Sequence, residues 1–289
     1  MIGKEWSLIV FSMAMQLSAG IILIYDLFLL SPLYRTRVDI PARFQWILMI
    51  ALTAALVGVA FSLLHLGNPG NAARTLANLR SSWLSREIIS VLAFTFLLAV
   101  VTILHFTMPS AARSLKWMVD ITAIAGIVLV FIMSRIYMIP TRPAWDSVFT
   151  PIGFYLAAII LGASLLLIFQ INHGSWASQK LLAILTFSIP LVQLAILPVF
   201  MAWLGQKDLV SGNALAIILD NHMAAFYLRL GFYILAIGFG LWAFFSIRSD
   251  TLRNHLLFTP AILAWASILA AQIIDRYLFY AQNLPAEGF

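Results

Sequence analysis

The chain has 289 residues, 63% of them hydrophobic and 10% charged, and no cysteine. A soluble domain is about 45–50% apolar and about 25% charged, and surface-to-volume scaling leaves it too much exterior to bury so many apolar side chains; with a mean hydropathy of +0.99 the composition predicts an integral membrane protein. The missing thiols exclude disulfides, thiolate zinc sites, cysteine-held Fe–S clusters and thiol nucleophiles from this chain, and the net charge of +6, with no long basic run, speaks to membrane topology and not to nucleic acid.

A helix that crosses the hydrocarbon core needs about 20 mostly apolar residues. Eight such runs follow one another, at 6–30, 44–66, 87–107, 116–138, 151–171, 180–204, 223–247 and 257–281. They predict an all-α polytopic bundle that forms one membrane domain over 1–289. The first run is longer than the apolar core of a signal peptide, about 7–15 residues, so it reads as a retained helix. The longest connections are 67–86 and 205–222.

Eight spans place both termini on one face, here called side A. Its loop cations are Lys4, Arg74, Arg80, Arg86, Arg142 and Lys207. The opposite face, side B, carries Arg35, Arg37, Arg43, Arg113, Lys116, Lys180, Arg248 and Arg253. The excess of cations on side B makes it the cytoplasmic face. Both termini are then outside, which is the periplasm if the membrane is the inner (cytoplasmic) membrane of a Gram-negative bacterium. Trp6, Trp46, Trp83, Trp117, Trp145 and Trp176 stand near span ends, as an interfacial belt requires.

Polar residues inside the spans are costly and point to function. Gln16, Gln193 and Gln272 suit interhelical hydrogen bonds, and Gly20, Gly126, Gly162, Gly238 and Gly240 suit close helix packing. Asp26 and Asp120 fall toward side B. The remaining charges gather at side A. His65 stands in the last turn of the second span, before Gly67 and Pro69, which end the helix. Glu87 opens the third, with Ser85 as its N-cap. Arg135, Arg229 and Arg276 fall at the same end, where pairing with Asp275, Glu87 or Asp146 competes with a functional role. An imidazole, a carboxylate and several hydrogen-bond donors at one depth suit oxidation of a two-proton carrier such as a quinol, with Tyr137 and Trp145 as walls of a ring pocket. For Trp145 the interfacial belt is the stronger reading.

Only His65 and His222 share a depth, and His222 lies outside an apolar run, so no haem is expected. A secondary transporter would place polar residues at mid-depth within inverted repeats, and neither pattern is found.

Five motifs in order resemble the DmsC family, the membrane anchors of dimethyl sulfoxide reductase and related molybdoenzymes. They are His65-Leu66-Gly67-x-Pro69, Ser85-x-Glu87, Arg135-x-Tyr137 followed by Trp145, Thr150-Pro151-x-Gly153-Phe154, and Arg276-x-x-Phe279-Tyr280. Asn68 and Asp275 depart from the commonest pattern. The resemblance implies a haem-free anchor that oxidises menaquinol, the quinol-oxidising subunit of a larger oxidoreductase, with acceptor reduction on a partner chain. His65 and Glu87 match the family's quinol-site positions. The implied partners are a ferredoxin-like subunit with four [4Fe–4S] clusters and a catalytic subunit holding bis-molybdopterin guanine dinucleotide. The related alternatives are an NrfD-type or a cytochrome b-type quinol-oxidising anchor.

Overall fold

The structure, a computed structural model, describes residues 6–30, 42–65, 79–80, 82–108, 116–142, 144–171, 176–207, 209–247 and 256–282. The 66–69 helix-end motif, the cations Lys4, Arg35, Arg37, Arg74, Arg113, Arg248 and Arg253, and the side chains of Arg43, His65 and Lys207 lie outside the described residues. The described elements are α1 (Trp6–Leu30), α2 (Ala42–His65), α3 (Trp83–Thr107), α4 (Lys116–Arg135), α5 (Phe149–Gln170), α6 (Trp176–Lys207), α7 (Leu209–Asn221), α8 (Met223–Ser246) and α9 (Phe258–Ala281). Eight of these are long and apolar enough to cross a membrane, and they are the eight expected spans.

The expected connection 205–222 is mostly helix instead. Its run Leu215-Ala216-Ile217-Ile218-Leu219 is as apolar as a span, but α7 has only 13 residues. At 1.5 Å per residue that is about 20 Å, short of the roughly 30 Å hydrocarbon core. It folds back on α6 and meets α8 and α9, where Ile218 packs with Phe226 and Leu278.

The long helices fall into two groups. In the first, α1 packs on α2 and α4, and α3 packs on both of these. In the second, α8 packs on α6 and α9, and α5 packs on α6 and α9. The groups join where α1 lies along α5. A Cβ on Gly20 would stand 1.8 Å from the Ala158 carbonyl oxygen, and one on Gly162 would stand 2.3 Å from the Gly20 backbone. Only glycine permits that approach. Gly126 and Gly240 are also tightly met, by Phe94 and Phe187, but Gly238 is exposed with nothing within 4 Å of an added Cβ, so it packs against no described helix of this protein.

At the side B end Lys116 pairs with Asp120, one turn on, and with Asp26 at 3.5 Å. Trp6, Trp46, Trp117 and Trp176 are exposed at span ends, as the belt reading expects. Gln272 donates to Gln193 Oε1 at 3.0 Å and to the Tyr233 hydroxyl at 3.3 Å. Gln16 departs from expectation: it is fully buried and its amide makes no hydrogen bond among the described residues.

Candidate functional site

The site begins at the N-terminus of α3. Ser82, not Ser85, is the N-cap: its hydroxyl accepts from the Ser85 backbone N–H at 3.3 Å. Helix therefore starts a turn earlier than expected, with Trp83 and Leu84 in its first turn ahead of Ser85, Arg86 and Glu87. Ser85 and Glu87 become buried positions within α3, with Glu87 at 6% exposure. Among the described residues the Glu87 carboxylate has no ion-pair partner, although burying an unpaired carboxylate costs several kcal/mol. Antiparallel packing of α2 on α3 brings the backbone of His65 to this same end.

An aromatic cluster stands beside Glu87. Tyr137, just past α4, shares a 2.8 Å hydroxyl contact with Tyr280 of α9. Both phenols lie within electrostatic reach of Glu87. The segment from α4 to α5 turns back on itself through Trp145 N–H to Arg142 O at 2.9 Å and the Thr150 hydroxyl to Trp145 O at 2.7 Å. That fold carries Trp145 inward. It is 7% exposed, stacks on Phe279 at 5.2 Å and 13°, and donates its indole N–H to Phe279 O at 2.8 Å. The belt reading of Trp145 is therefore wrong: a buried indole N–H needs an acceptor, and a carbonyl in the last turn of α9 supplies one. Phe154 completes the cluster at 5.7 Å from Tyr137.

The three arginines do not converge on one point. Arg135 sits half-buried over Trp83, 5.2 Å from the ring centroid, with Nη1 3.3 Å from Met138 Sδ. Arg86 covers the same ring at 4.3 Å and bonds the carbonyls of Leu79 and Arg80. Arg229 pairs with Asp275 at 2.8 Å, one of the pairings anticipated from sequence. Arg276 is 2% exposed and its guanidinium lies 3.7 Å over the Phe154 ring. Arg229 and Arg276 both border a cleft between α5, α6, α8 and α9 of about 120 Å³, which Glu87, Tyr137 and Trp145 do not line.

The structure thus groups Glu87, Tyr137 and Trp145, sets Arg229 and Arg276 on the cleft side, and leaves Arg135 with Trp83. Tyr280, Phe279 and Phe154 were not expected as site residues, although each stands in a motif that carried the family resemblance. Hydropathy could not select them, since aromatic residues are ordinary throughout these spans.

Residues 2–282 match the family described as DMSO reductase anchor subunit (DmsC). A chain of the anaerobic dimethyl sulfoxide reductase of Escherichia coli K12 is 28% identical over 289 residues, covering 97% of the present sequence and 95% of that protein. A second anaerobic dimethyl sulfoxide reductase chain of the same strain, YnfH, is 26% identical over 297 residues, again with 97% and 95% coverage. A shorter match, 35% identical over 82 residues, relates 27% of the present sequence to 25% of a sulfite dehydrogenase subunit of Allochromatium vinosum.

Proposed function

The chain belongs to the DMSO reductase anchor subunit family, DmsC, and from that premise we propose that it oxidises menaquinol at its side A end and hands the electrons to an Fe–S partner. It is a multi-pass protein of the bacterial inner membrane and the membrane anchor of a molybdoenzyme. The observation that carries the finer reading is Glu87: a carboxylate buried in a spanning helix, without an ion-pair partner among the described residues, beside an aromatic wall and at the same end as the last residue of α2.

Oxidation of one quinol releases two protons and two electrons. The Glu87 carboxylate takes one proton and the His65 imidazole the other, both as positioned bases. The two electrons would leave one at a time for the nearest [4Fe–4S] cluster of a ferredoxin-like subunit docked at side A, which would relay them toward the molybdenum cofactor of the catalytic subunit. Tyr137 and Trp145 wall the ring, and their mutual packing holds that wall in place: the rings meet edge-on at 5.4 Å. Both bases then give up their protons at side A, which the charge asymmetry of the loops makes the periplasmic face. The same residues serve quinone reduction if the partners drive electrons the other way.

The test uses the whole membrane complex. Glu87→Gln and His65→Arg should assemble and accept electrons from artificial donors that feed the soluble subunits, yet lose menaquinol-dependent turnover. Normal menaquinol oxidation by both variants removes these residues from the mechanism. Reporter fusions after residue 40 and after residue 289 should report cytoplasm and periplasm respectively, and a single compartment for both sinks the eight-span topology.

A further inference from the structure

The cleft between α5, α6, α8 and α9 holds a buried cation that no carboxylate grips. Arg276 makes neither a hydrogen bond nor an ion pair with any described residue, and its Nε is fully buried and unbonded. Among the described residues its direct support is the face of Phe154 at 3.7 Å and, more distantly, Phe279 at 5.8 Å. A guanidinium at membrane depth is retained where something compensates it, and a cation–π contact compensates only part of the cost. Most of the cleft that it lines is aromatic and aliphatic, with Phe149, Phe200 and Ile196 among its walls, and the paired Arg229 and Asp275 also border it. Gln193 and Tyr233 supply further polar atoms. Its size, about 120 Å³, is close to the roughly 150 Å³ of an engineered cavity that holds benzene.

An acceptor oxygen on a flat ring meets all of these requirements. An anionic headgroup does not. Asp275 lines the same cleft, 2.8 Å from Arg229, and would repel it. The cleft also runs deep. Arg276 lies five residues inside the end of α9 and Gln193 fourteen residues inside the end of α6. At 1.5 Å per residue those positions are about 8 Å and about 21 Å from the helix ends, in the hydrocarbon core and below headgroup level.

We propose that this cleft holds the ring of a second lipid-soluble quinone, with the Arg276 guanidinium donating to a ring oxygen. The site is separate from the one built on Glu87, since Phe154 and Phe279 stand between Tyr137 and the cleft. It stands whether or not the chain oxidises quinol at Glu87.

The purified complex, stripped of quinone by detergent exchange, is titrated with a short-chain 1,4-naphthoquinone and its bound quinone counted by extraction. The expected result is a tight binding event that survives Glu87→Gln. Ile196→Trp, which fills the cleft, and Arg276→Gln should each weaken it by about tenfold or more, the scale of a lost charged hydrogen bond, while Arg276→Lys restores part. Partner subunits that co-purify with each variant report intact assembly. An azidonaphthoquinone should label 193–200 or 275–282 in the unmodified complex. Unchanged binding in both cleft variants, or labelling confined to 65–90, overturns the proposal. So does native mass spectrometry that finds an anionic phospholipid released by Arg276→Gln while naphthoquinone binding is unmoved. Loss of turnover in Glu87→Gln with the cleft quinone retained speaks only to the reaction proposed above.

Discussion

The two ends of the bundle handle buried charge in opposite ways. At side B, Asp26, Lys116 and Asp120 close on one another, so an acid from α1 and an acid and a base from α4 form a compact ion cluster. At side A, Glu87 and Arg276 are at least as deeply buried, yet neither has an ion-pair partner among the described residues. Arg229 and Asp275, at the same end, pair with each other. A charge cluster that satisfies itself stabilises a fold and has nothing left to offer a ligand. An end that leaves a carboxylate and a guanidinium uncompensated gives up stability and keeps both groups for chemistry, as functional sites commonly do.

That contrast predicts opposite responses to neutralisation. The largest effect is functional: Glu87→Gln should lower menaquinol-dependent turnover by about 100-fold or more, the scale of a lost general base, without lowering the Tm of the complex. A fall in Tm would make Glu87 a structural residue. Next, Lys116→Gln leaves two carboxylates facing each other at side B. It should cost about 1–2 kcal/mol, between the values for exposed and buried pairs, and leave quinol turnover alone. If thermal unfolding of the complex is unaffected, the side B cluster is not a structural clasp. A smaller cost, about 1 kcal/mol, is expected for Tyr280→Phe, which removes the 2.8 Å contact with Tyr137. The smallest change belongs between the two ends. Gly238→Ala meets no neighbour within 4 Å and should raise helix stability by about 0.5 kcal/mol at most, with turnover unchanged.

Much of the fold was legible because membrane depth is written along the sequence. An apolar run of span length gives a helix, alternating direction gives each charge its end, and the side A layer follows from those two facts. The direction in which each side chain faces around its helix was not legible, because spans that are apolar on every side carry no stripe to mark an inner face. Arg135, Arg229 and Arg276 were read as lying at one end, yet they turn toward two different neighbourhoods, Arg135 toward Trp83 and the other two toward the cleft. Trp145 shows a second limit. A tryptophan near a span end reads as an interfacial anchor, and only the turn at Arg142–Thr150 reveals that it is folded inward. The short helix α7 shows a third. Between long spans, thirteen residues that contain Gly212, Asn213 and Asp220 read as a loop, and packing on α6 makes them helical.

The central claim is that Glu87 takes a proton from the quinol as its electrons leave for the Fe–S partner. Rapid mixing of a menaquinol analogue with the oxidised complex, followed by freeze-quench electron paramagnetic resonance of the partner's clusters, tests it in a single turnover. The account predicts fast cluster reduction in the unmodified complex. In Glu87→Gln the clusters should stay oxidised with quinol and still be reduced in full by dithionite. Cluster reduction by quinol at the unmodified rate in Glu87→Gln would contradict the account.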